Sequence, residues 1–198
     1  MIKNPIQKVT NKLQYRAIGI INATYKPHDK DHLNKGTLVD INGKEIEAVV
    51  LGKALSLVKK HIKFDESYFW IVYPKNKNTQ TLHLQITGIW DPYKLNDIKE
   101  KYLKKNPLEL LEECDLSDNY FSIRGELIYV NTQKKEFVMK ICSLPQAKKL
   151  KNNNFKIVIE GELSLELLNN FLSLDVIREG SKLRLLKYEV VKKNSTKK

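Results

Sequence analysis

Apolar and polar positions alternate along several stretches of this chain. In Leu82–Trp90 most apolar residues take every second position, and Phe121–Tyr129 and Phe155–Leu163 repeat this pattern. A period of two is typical of a β-strand that buries one face. In Lys53–Ile62 the apolar residues recur at helical spacing instead, which predicts a short helix. The pattern therefore predicts a mainly β protein.

The two halves of the chain present these elements in the same order. Each half opens with a strand that carries aromatic residues near a central glycine, Gly19 in the first and Gly125 in the second. Further strands, one short helical segment and a final strand pair follow. This order is typical of the OB-type Greek-key barrel, which often binds single-stranded nucleic acid or oligosaccharide. We therefore predict two OB-like Greek-key β-barrels joined by a partly helical linker.

Turn and helix signals set the bounds of the elements. The dipeptide Asn42-Gly43 favours a hairpin, because both positions tolerate positive φ. Pro74 is expected to stop a strand over Tyr68–Tyr73, and Asn106 to cap a helix over Pro107–Glu113. The other predicted elements are the strands Tyr15–Tyr25, Thr37–Ile41, Lys44–Leu51, Phe137–Cys142, Leu172–Ile177 and Leu183–Val191 and a helical turn over Leu165–Phe171.

Domain borders follow from where the strand sets begin and end. The first barrel is predicted over residues 13–92 and the second over residues 118–191. A charged linker with a short helix, residues 93–117, joins them. Residues 1–12 are polar and expected to be mobile, and residues 192–198 form a basic tail.

The charge balance points to an anionic partner. The 198 residues include 35 Lys and Arg against 23 Asp and Glu, a net charge of +12 that is spread over both halves. A balance of this sign suits a polyanion such as nucleic acid. The excess consists almost entirely of lysine, which an A/T-rich genome also enriches, so two explanations for it stay open.

Cysteine usage and hydropathy bear on location. Cys114 and Cys142 lie far apart in the sequence, so no disulfide framework is predicted. The chain has no apolar run of about 18 residues that could span a membrane, and its first residues lack the apolar stretch of a signal peptide. We expect a cytoplasmic protein without membrane contact. The sequence leaves the oligomeric state undetermined.

Aromatic and basic residues on the predicted strands are the candidates for a binding site. OB barrels bind single strands by stacking bases on aromatic rings over a basic groove. For any one aromatic residue, and for Trp70 above all, packing in the barrel core is the competing interpretation. The candidate nucleic-acid-binding residues are Tyr15, Arg16, Tyr25, Lys26, Tyr73, Lys75, His83, Tyr120, Arg124, Tyr129 and Lys140.

Arg16 and Arg124 stand out because the chain uses arginine so rarely. Each lies on the first strand of its half and alternates with core positions, so each is expected to project from its barrel. A planar guanidinium suits bidentate contacts with phosphate or carboxylate. A structural ion pair is the alternative role.

No catalytic or metal-binding pattern competes with binding. His28 and His32 have the i, i+4 spacing of zinc ligands, but they need a helix to share a face, and Pro27 argues for a loop. Neither cysteine has the surroundings of a nucleophile. No phosphate-cradling glycine loop or Ser-His-Asp arrangement is present. We predict a non-enzyme without metal or cofactor.

Six segments of the chain carry a resemblance to a known family. In the second half this is Asp118–Glu126, and in the first half they are Gly36–Leu38, Ile46–Gly52, Ser56–His61, Trp70–Pro74 and Leu82–Trp90. They resemble segments of a family of conserved, functionally uncharacterised cyanobacterial proteins with two OB-like halves. The resemblance covers most of the chain and implies a cytoplasmic protein, but no catalytic residues.

Two functions remain after these exclusions. The first is non-catalytic binding of single-stranded RNA or DNA, with lysines neutralising phosphates and aromatic rings stacking on bases. The second is a protein-interaction module, such as an accessory subunit of a ribosome, polymerase or other large assembly. A basic groove lined by Tyr or Trp favours the first, and a flat apolar patch favours the second.

Overall fold

The computed structural model describes residues 2–77, 81–93, 105–142 and 154–193. These ranges are mainly β, with two α-helices, α1 (Gly52–His61) and α2 (Pro107–Glu112), and a 3₁₀ turn at Leu165–Leu167. The strands of the first half are β1 (Arg16–Pro27), β2 (Lys35–Asp40), β3 (Glu45–Val50), β4 (Ser67–Lys77) and β5 (Thr81–Trp90). Those of the second half are β6 (Tyr120–Asn131), β7 (Glu136–Cys142), β8 (Asn154–Glu160), β9 (Phe171–Glu179) and β10 (Lys182–Lys192).

Each half closes its five strands into a barrel. In the first, the neighbours run β1-β2-β3-β5-β4 and return to β1, with β3 parallel to β5. In the second, they run β6-β7-β8-β10-β9 and return to β6, with β8 parallel to β10. This is the partly parallel, closed arrangement of the OB fold. The prediction of a mainly β protein with two OB-like barrels is confirmed.

The predicted hairpin at Asn42-Gly43 joins β2 to β3. Gly43 has φ +73°, a conformation that is unfavourable for most other residues. Asp40 Oδ1 accepts hydrogen bonds from the backbone N–H groups of Asn42 and Lys44, both at 2.9 Å. The turn is thus fixed by Asp40 as well as by the glycine.

Trp70 lies at the centre of the first barrel. It is fully buried, and its indole Nε1–H donates to the carbonyl of Ala23 at 2.8 Å. The ring centroid of Tyr25 lies 5.8 Å away, and the Tyr25 hydroxyl donates to the carbonyl of Leu33. Both rings are core residues, so the core interpretation of Trp70 is correct and also applies to Tyr25.

A second apolar cluster lies on the outside of the same barrel. It consists of Ile6, Ile20, Phe69, Trp90, Leu110 and Leu111, so both α2 and the N-terminal segment pack there. Trp90 Nε1 donates to the carbonyl of Lys3, and Asn4 Nδ2 donates to the carbonyl of Cys114. The expectation that residues 1–12 are mobile is therefore wrong for this segment, because Ile6 is one of the residues that complete the apolar cover.

Helix α2 begins where the sequence predicted. Asn106 Oδ1 accepts from the N–H of Glu109, and Pro107 takes the first helical position. The prediction that Pro74 stops its strand is wrong, because β4 continues to Lys77. The pairing of β4 with β1 covers Ser67–Val72, so the missing N–H of Pro74 costs no hydrogen bond in that ladder.

The contacts within the chain define two compact units. The first unit comprises Met1–Gln7, Ile18–Tyr73 and His83–Tyr120. The second comprises Lys8–Ala17, Pro74–Leu82 and Phe121–Lys198. Residues 94–104 of the predicted linker and residues 194–198 of the basic tail lie outside the described residues, so the predicted domain borders stay predictions. None of the described helices is long and apolar enough to cross a membrane.

Candidate nucleic-acid interface

A groove of about 600 Å³ opens on the outer face of β7 and β8 in the second unit. Its ends are the turn between β6 and β7, with Lys134, and the turn between β9 and β10, with Ser181. In OB folds the second and third strands, together with the 1–2 and 4–5 loops, form the ligand-binding face. In this barrel β7 and β8 are the second and third strands, and the two turns are those loops.

The floor of the groove is apolar in the middle and acidic at one end. Val138 and Val158 lie opposite each other on β7 and β8, and Glu136 lies opposite Glu160. Side chains on the other face of both strands, such as Met139 and Ile157, fill the barrel core. Lys182 forms an ion pair with Glu160 across the rim.

Tyr129 is the aromatic residue of this groove. Half of its surface is exposed, at 50%. Strict alternation along β6 would place it on the core face with Leu127, but a β-bulge lies between these two residues. The extra residue redirects the Tyr129 side chain out of the barrel. A tyrosine that the alternation assigned to the core face is therefore available to a ligand.

The end of β4 closes one side of the groove. Asn76 and Leu82 line it, and Asn76 Oδ1 accepts a hydrogen bond from the N–H of Val158 at 3.2 Å. Beside it, Lys75 Nζ lies 3.0 Å from the centroid of the Phe155 ring. Burial lowers the pKa of Lys75 to about 8. Lys75 is thus a packing residue here rather than an exposed cation.

The two turns at the ends of the groove are held by side chains of their own strands. Asn131 Oδ1 accepts from the N–H of Lys134 at 3.0 Å, which fixes the β6–β7 turn. The buried guanidinium of Arg178 donates to the carbonyl of Gly180 at 2.6 Å, which fixes the β9–β10 turn. A preformed rim costs less conformational entropy when a ligand binds.

Arg124 lies on the outer face of its barrel, but it is covered there and not exposed as expected. It is 7% exposed, and it donates to the carbonyls of Lys12 and Gln14 and to Ser173 Oγ. Lys12 and Gln14 belong to the segment Lys8–Ala17, which is part of the second unit, and their carbonyls hold the guanidinium. Burial lowers the pKa of Arg124, which still carries its charge at neutral pH.

The other arginines are also engaged within the chain. Arg16 Nη2 donates to Ser122 Oγ at 2.6 Å, and Arg184 forms an ion pair with Glu179. All four arginines make contacts within the chain. For Arg16 and Arg124 these contacts support the structural role that the sequence left open. Lysines are then the main candidates for phosphate contacts.

Tyr15 and Lys140 meet on a single carboxylate. The Tyr15 hydroxyl donates to Glu126, and Lys140 Nζ lies 3.0 Å from the same carboxylate. These hydrogen bonds, that of Tyr15 first, lower the pKa of Glu126. Burial, followed by Glu126, raises the pKa of Tyr15. Lys140 also lies opposite Lys156 on β8, so the two lysines form a cross-strand pair.

The remaining predicted residues belong to the first unit. Tyr25 is buried in the core, and Tyr120 packs partly buried against the outer apolar cluster. His83 is also partly buried. Lys26 and Tyr73 are exposed, the latter at 39%. Of the predicted residues, only Tyr129 lines the groove of the second unit.

The loop with His28 and His32 shows no shared metal site. His28 Nε2 lies 3.1 Å from Thr37 Oγ1, whereas His32 Nδ1 lies 2.8 Å from Asp29 Oδ2. Within the described ranges, no group of three or more His, Cys, Asp or Glu side chains could hold a metal ion.

Sequence reasoning missed most residues that line the groove. Asn76 and Leu82 lie in a stretch of sequence that carried no recognisable motif, and Lys134 and Lys182 are two of many lysines. A usable signal was the position of the two turns. In an OB barrel the 1–2 and 4–5 loops flank the ligand face, so lysines there deserve more weight than lysines elsewhere.

The barrels and the groove define the chain as a tandem OB-fold protein. Two family profiles match it: "PatR RNA-binding protein, N-terminal OB-fold domain" over residues 17–97, and "Cyanobacterial OB-fold-like RNA-binding domain, C-terminal" over residues 123–192. The chain belongs to this family of two-domain OB-fold proteins. The resemblance to cyanobacterial proteins with two OB-like halves is thereby confirmed.

Two solved structures match the chain weakly. A deletion mutant of the single-stranded DNA binding protein from Thermus aquaticus is 11% identical, with 92% of this chain and 96% of that chain covered and a TM-score of 0.38. The Ifi202 HINa domain, solved with double-stranded DNA, is 15% identical, with coverages of 87% and 91% and a TM-score of 0.20. No curated protein matches the chain in sequence.

Proposed function

We propose that this chain binds single-stranded RNA through the groove on β7 and β8. The observation that carries the proposal is the exposed Tyr129 ring beside an apolar strip of Val138 and Val158, on the face where OB folds bind ligands. Membership of a family described as RNA-binding supports RNA as the nucleic acid. The net charge of +12 supports a polyanionic ligand.

The groove offers a separate chemistry to each part of a nucleotide. Tyr129 stacks on a base, an interaction that contributes about 1–3 kcal/mol per base in such proteins. Val138 and Val158 contact the apolar surface of that base or its neighbour. Lys134 on the rim attracts the phosphates, while the acidic end of the floor repels them. The backbone therefore follows the rim, and the bases turn towards the floor.

Glu136 gives the floor a preference among bases. A carboxylate accepts hydrogen bonds from exocyclic amino groups of bases and cannot donate to a carbonyl. Uracil offers only its N3–H, between two carbonyl oxygens that repel a carboxylate, whereas adenine, cytosine and guanine each have an exocyclic amino group. Uridine-rich RNA is expected to bind more weakly than cytidine- or adenosine-rich RNA of the same length.

We propose that binding is not coupled to catalysis. Glu160 is held by Lys182, so the opposed carboxylates of Glu136 and Glu160 are not two unengaged groups. We also propose a cytoplasmic location, which the free thiols of Cys114 and Cys142 support. The alternative, a protein-interaction module, is favoured by a different feature, the exposed Leu186 and Tyr188 of β10.

The test is fluorescence anisotropy with a labelled single-stranded RNA of about 16 nucleotides, the upper site size of one OB fold. Wild type is compared with Tyr129→Ala, Tyr129→Phe and Tyr73→Ala. Tyr129→Ala is expected to weaken binding about tenfold or more, because the stacking surface is lost, whereas Tyr129→Phe retains it. Tyr73→Ala removes an exposed tyrosine outside the groove and is expected to bind like wild type.

Three outcomes would contradict the proposal. If wild type binds no single strand at low salt, nucleic-acid binding itself is excluded. Equal affinity of Tyr129→Ala and wild type, with unchanged thermal melting, would remove the groove as the site. A loss of binding in Tyr73→Ala but not in Tyr129→Ala would transfer the site to the first unit, where the sequence also predicted candidate residues.

A further inference from the structure

The second half of β10 has one free edge among the residues that the structure describes. Its ladder with β8 has one described pair, Arg184 opposite Glu160 near the start of β10. From Lys187 to Lys192 its described pairing is with β9 alone. Unpaired N–H and C=O groups along such an edge are a template for another strand.

Apolar residues are exposed beside this edge. Leu186 is 54% exposed and Tyr188 is 44% exposed, and Val190 and Val191 are only partly buried. Natural edge strands that avoid pairing place charges or proline along their length. The segment Leu185–Val191 instead alternates two charges with apolar residues, and this alternation has a specific order.

The order is self-complementary about Tyr188. When two copies of this segment pair antiparallel with Tyr188 opposite Tyr188, Lys187 of each copy lies opposite Glu189 of the other. Irregularities at Leu186 and Val191 limit the regular part of this strand to Lys187–Val190, so the pairing is restricted to that stretch. Opposite charges at directly opposed positions stabilise an antiparallel ladder. Pairing centred one residue earlier or later places Lys187 opposite Lys187 or Glu189 opposite Glu189, which is unfavourable.

We propose that β10 is a homodimer interface, in which a second copy of this chain adds its β10 antiparallel in this register. The arrangement is a two-fold, isologous contact, the commonest symmetry among soluble dimers. It joins two second units through one continuous ladder of strands. The charge complementarity at Lys187 and Glu189 selects a second copy over an unrelated strand.

Both charged residues also have neighbours in their own chain. Lys187 lies opposite Asp175 on β9, and Glu189 lies opposite Ser173. Glu189 also acts on Arg124, since its charge counters the lowering of the Arg124 pKa by burial. A charge reversal at either position therefore changes the fold locally as well as the interface. The experiment must separate the two effects.

Mixing two single variants achieves this separation. Lys187→Glu has an acid at both positions, and Glu189→Lys has a lysine at both. A dimer of either variant alone therefore places like charges opposite each other at positions 187 and 189. A mixture of the two restores both Lys–Glu pairs without repairing either variant's own chain. The matched controls, Lys59→Glu on α1 and Glu166→Lys on the 3₁₀ turn, reverse exposed charges outside β10.

The measurement is sedimentation velocity over a concentration series at low salt, on nuclease-treated protein so that RNA cannot bridge two chains. Wild type and both controls are expected to dimerise. Each β10 variant alone is expected to dimerise roughly tenfold more weakly, because both Lys–Glu pairs become pairs of like charge. The mixture is expected to return to the wild-type affinity, as is the double variant Lys187→Glu/Glu189→Lys.

Three results would overturn the interface in this register. One is a wild type that stays monomeric throughout the series. Another is a pair of single variants that do not recover on mixing while their thermal melting matches that of wild type. The third is a pair of single variants that dimerise as tightly as wild type.

Discussion

Asn76 Oδ1 accepts the hydrogen bond of the Val158 N–H, and so the end of β4 is joined to the middle of β8. Val158 is also one of the two apolar residues on the floor of the groove. The contact therefore shapes the candidate site through the backbone of Val158, whereas the Val158 side chain is the group proposed to contact RNA. Its strength can be tested independently of the ligand chemistry.

Asn76→Ala is expected to lower both stability and RNA affinity. The substitution leaves the Val158 N–H without its acceptor, which costs about 1–3 kcal/mol if the group stays away from water. Asn76→Asp keeps an acceptor at the same position and is the matched control for stability. Urea unfolding and anisotropy on both variants measure the two effects. Unchanged unfolding of Asn76→Ala would show that the contact does not persist in solution.

Arg124→Ala is expected to destabilise the protein by about 2–4 kcal/mol, because the carbonyls of Lys12 and Gln14 lose their donor. Arg124→Lys keeps the charge but cannot reproduce the geometry of three separate contacts, so it should recover only part of the loss. Urea unfolding of both variants tests this role. If Arg124→Ala unfolds like wild type yet loses RNA binding, Arg124 is a ligand residue, as its position in the sequence suggests.

Arg124 and Tyr129 show why the sequence predicted the barrels well and the site poorly. Alternation along β6 identified the core face, and the turn at Asn42-Gly43 and the cap at Asn106 were local signals. Arg124 is buried because residues 12–14 cover its strand, a contact between segments distant in sequence. Tyr129 is exposed because of a β-bulge, which periodicity cannot reveal.

Gly125 illustrates a signal whose meaning came only from the structure. The sequence singled it out as the central glycine of the strand that opens the second half. A Cβ at this position would lie 2.3 Å from the carbonyl oxygen of Lys140, closer than real contacts allow. The glycine is required by the close approach of β6 and β7 and not by ligand binding.

Lys75 is expected to make stability depend on pH in the alkaline range. Its pKa is about 8 in the folded protein, against 10.5 in an unperturbed chain. Between these values the unfolded state binds more protons, so the free energy of unfolding rises as pH increases from about 8 to 10.5. Below pH 8 Lys75 is charged in both states. The gain in the free energy of unfolding that its deprotonation gives at higher pH is then absent.

Lys75→Met isolates this dependence from the other lysines and the tyrosines. Subtracting the variant's unfolding free energy from that of wild type at each pH should give a difference that rises from pH 8 to 10.5. Lys59→Met, an exposed lysine on α1, should give a flat difference. Attraction of the ammonium to the Phe155 ring favours the charged form. A flat curve for Lys75→Met as well would therefore mean that this attraction offsets burial.

Lys134→Gln is expected to weaken RNA binding and to make it less sensitive to salt. The side chain stands on the rim of the groove at a turn fixed by Asn131. Removing one lysine–phosphate interaction reduces the slope of log affinity against log salt by about 0.7 for a single strand. Anisotropy titrations at several salt concentrations measure this slope for wild type, Lys134→Gln and the exposed α1 control Lys59→Gln. If the slope is unchanged for Lys134→Gln, or falls equally in the control, Lys134 makes no specific phosphate contact. RNA is then attracted by the net positive charge of the whole protein.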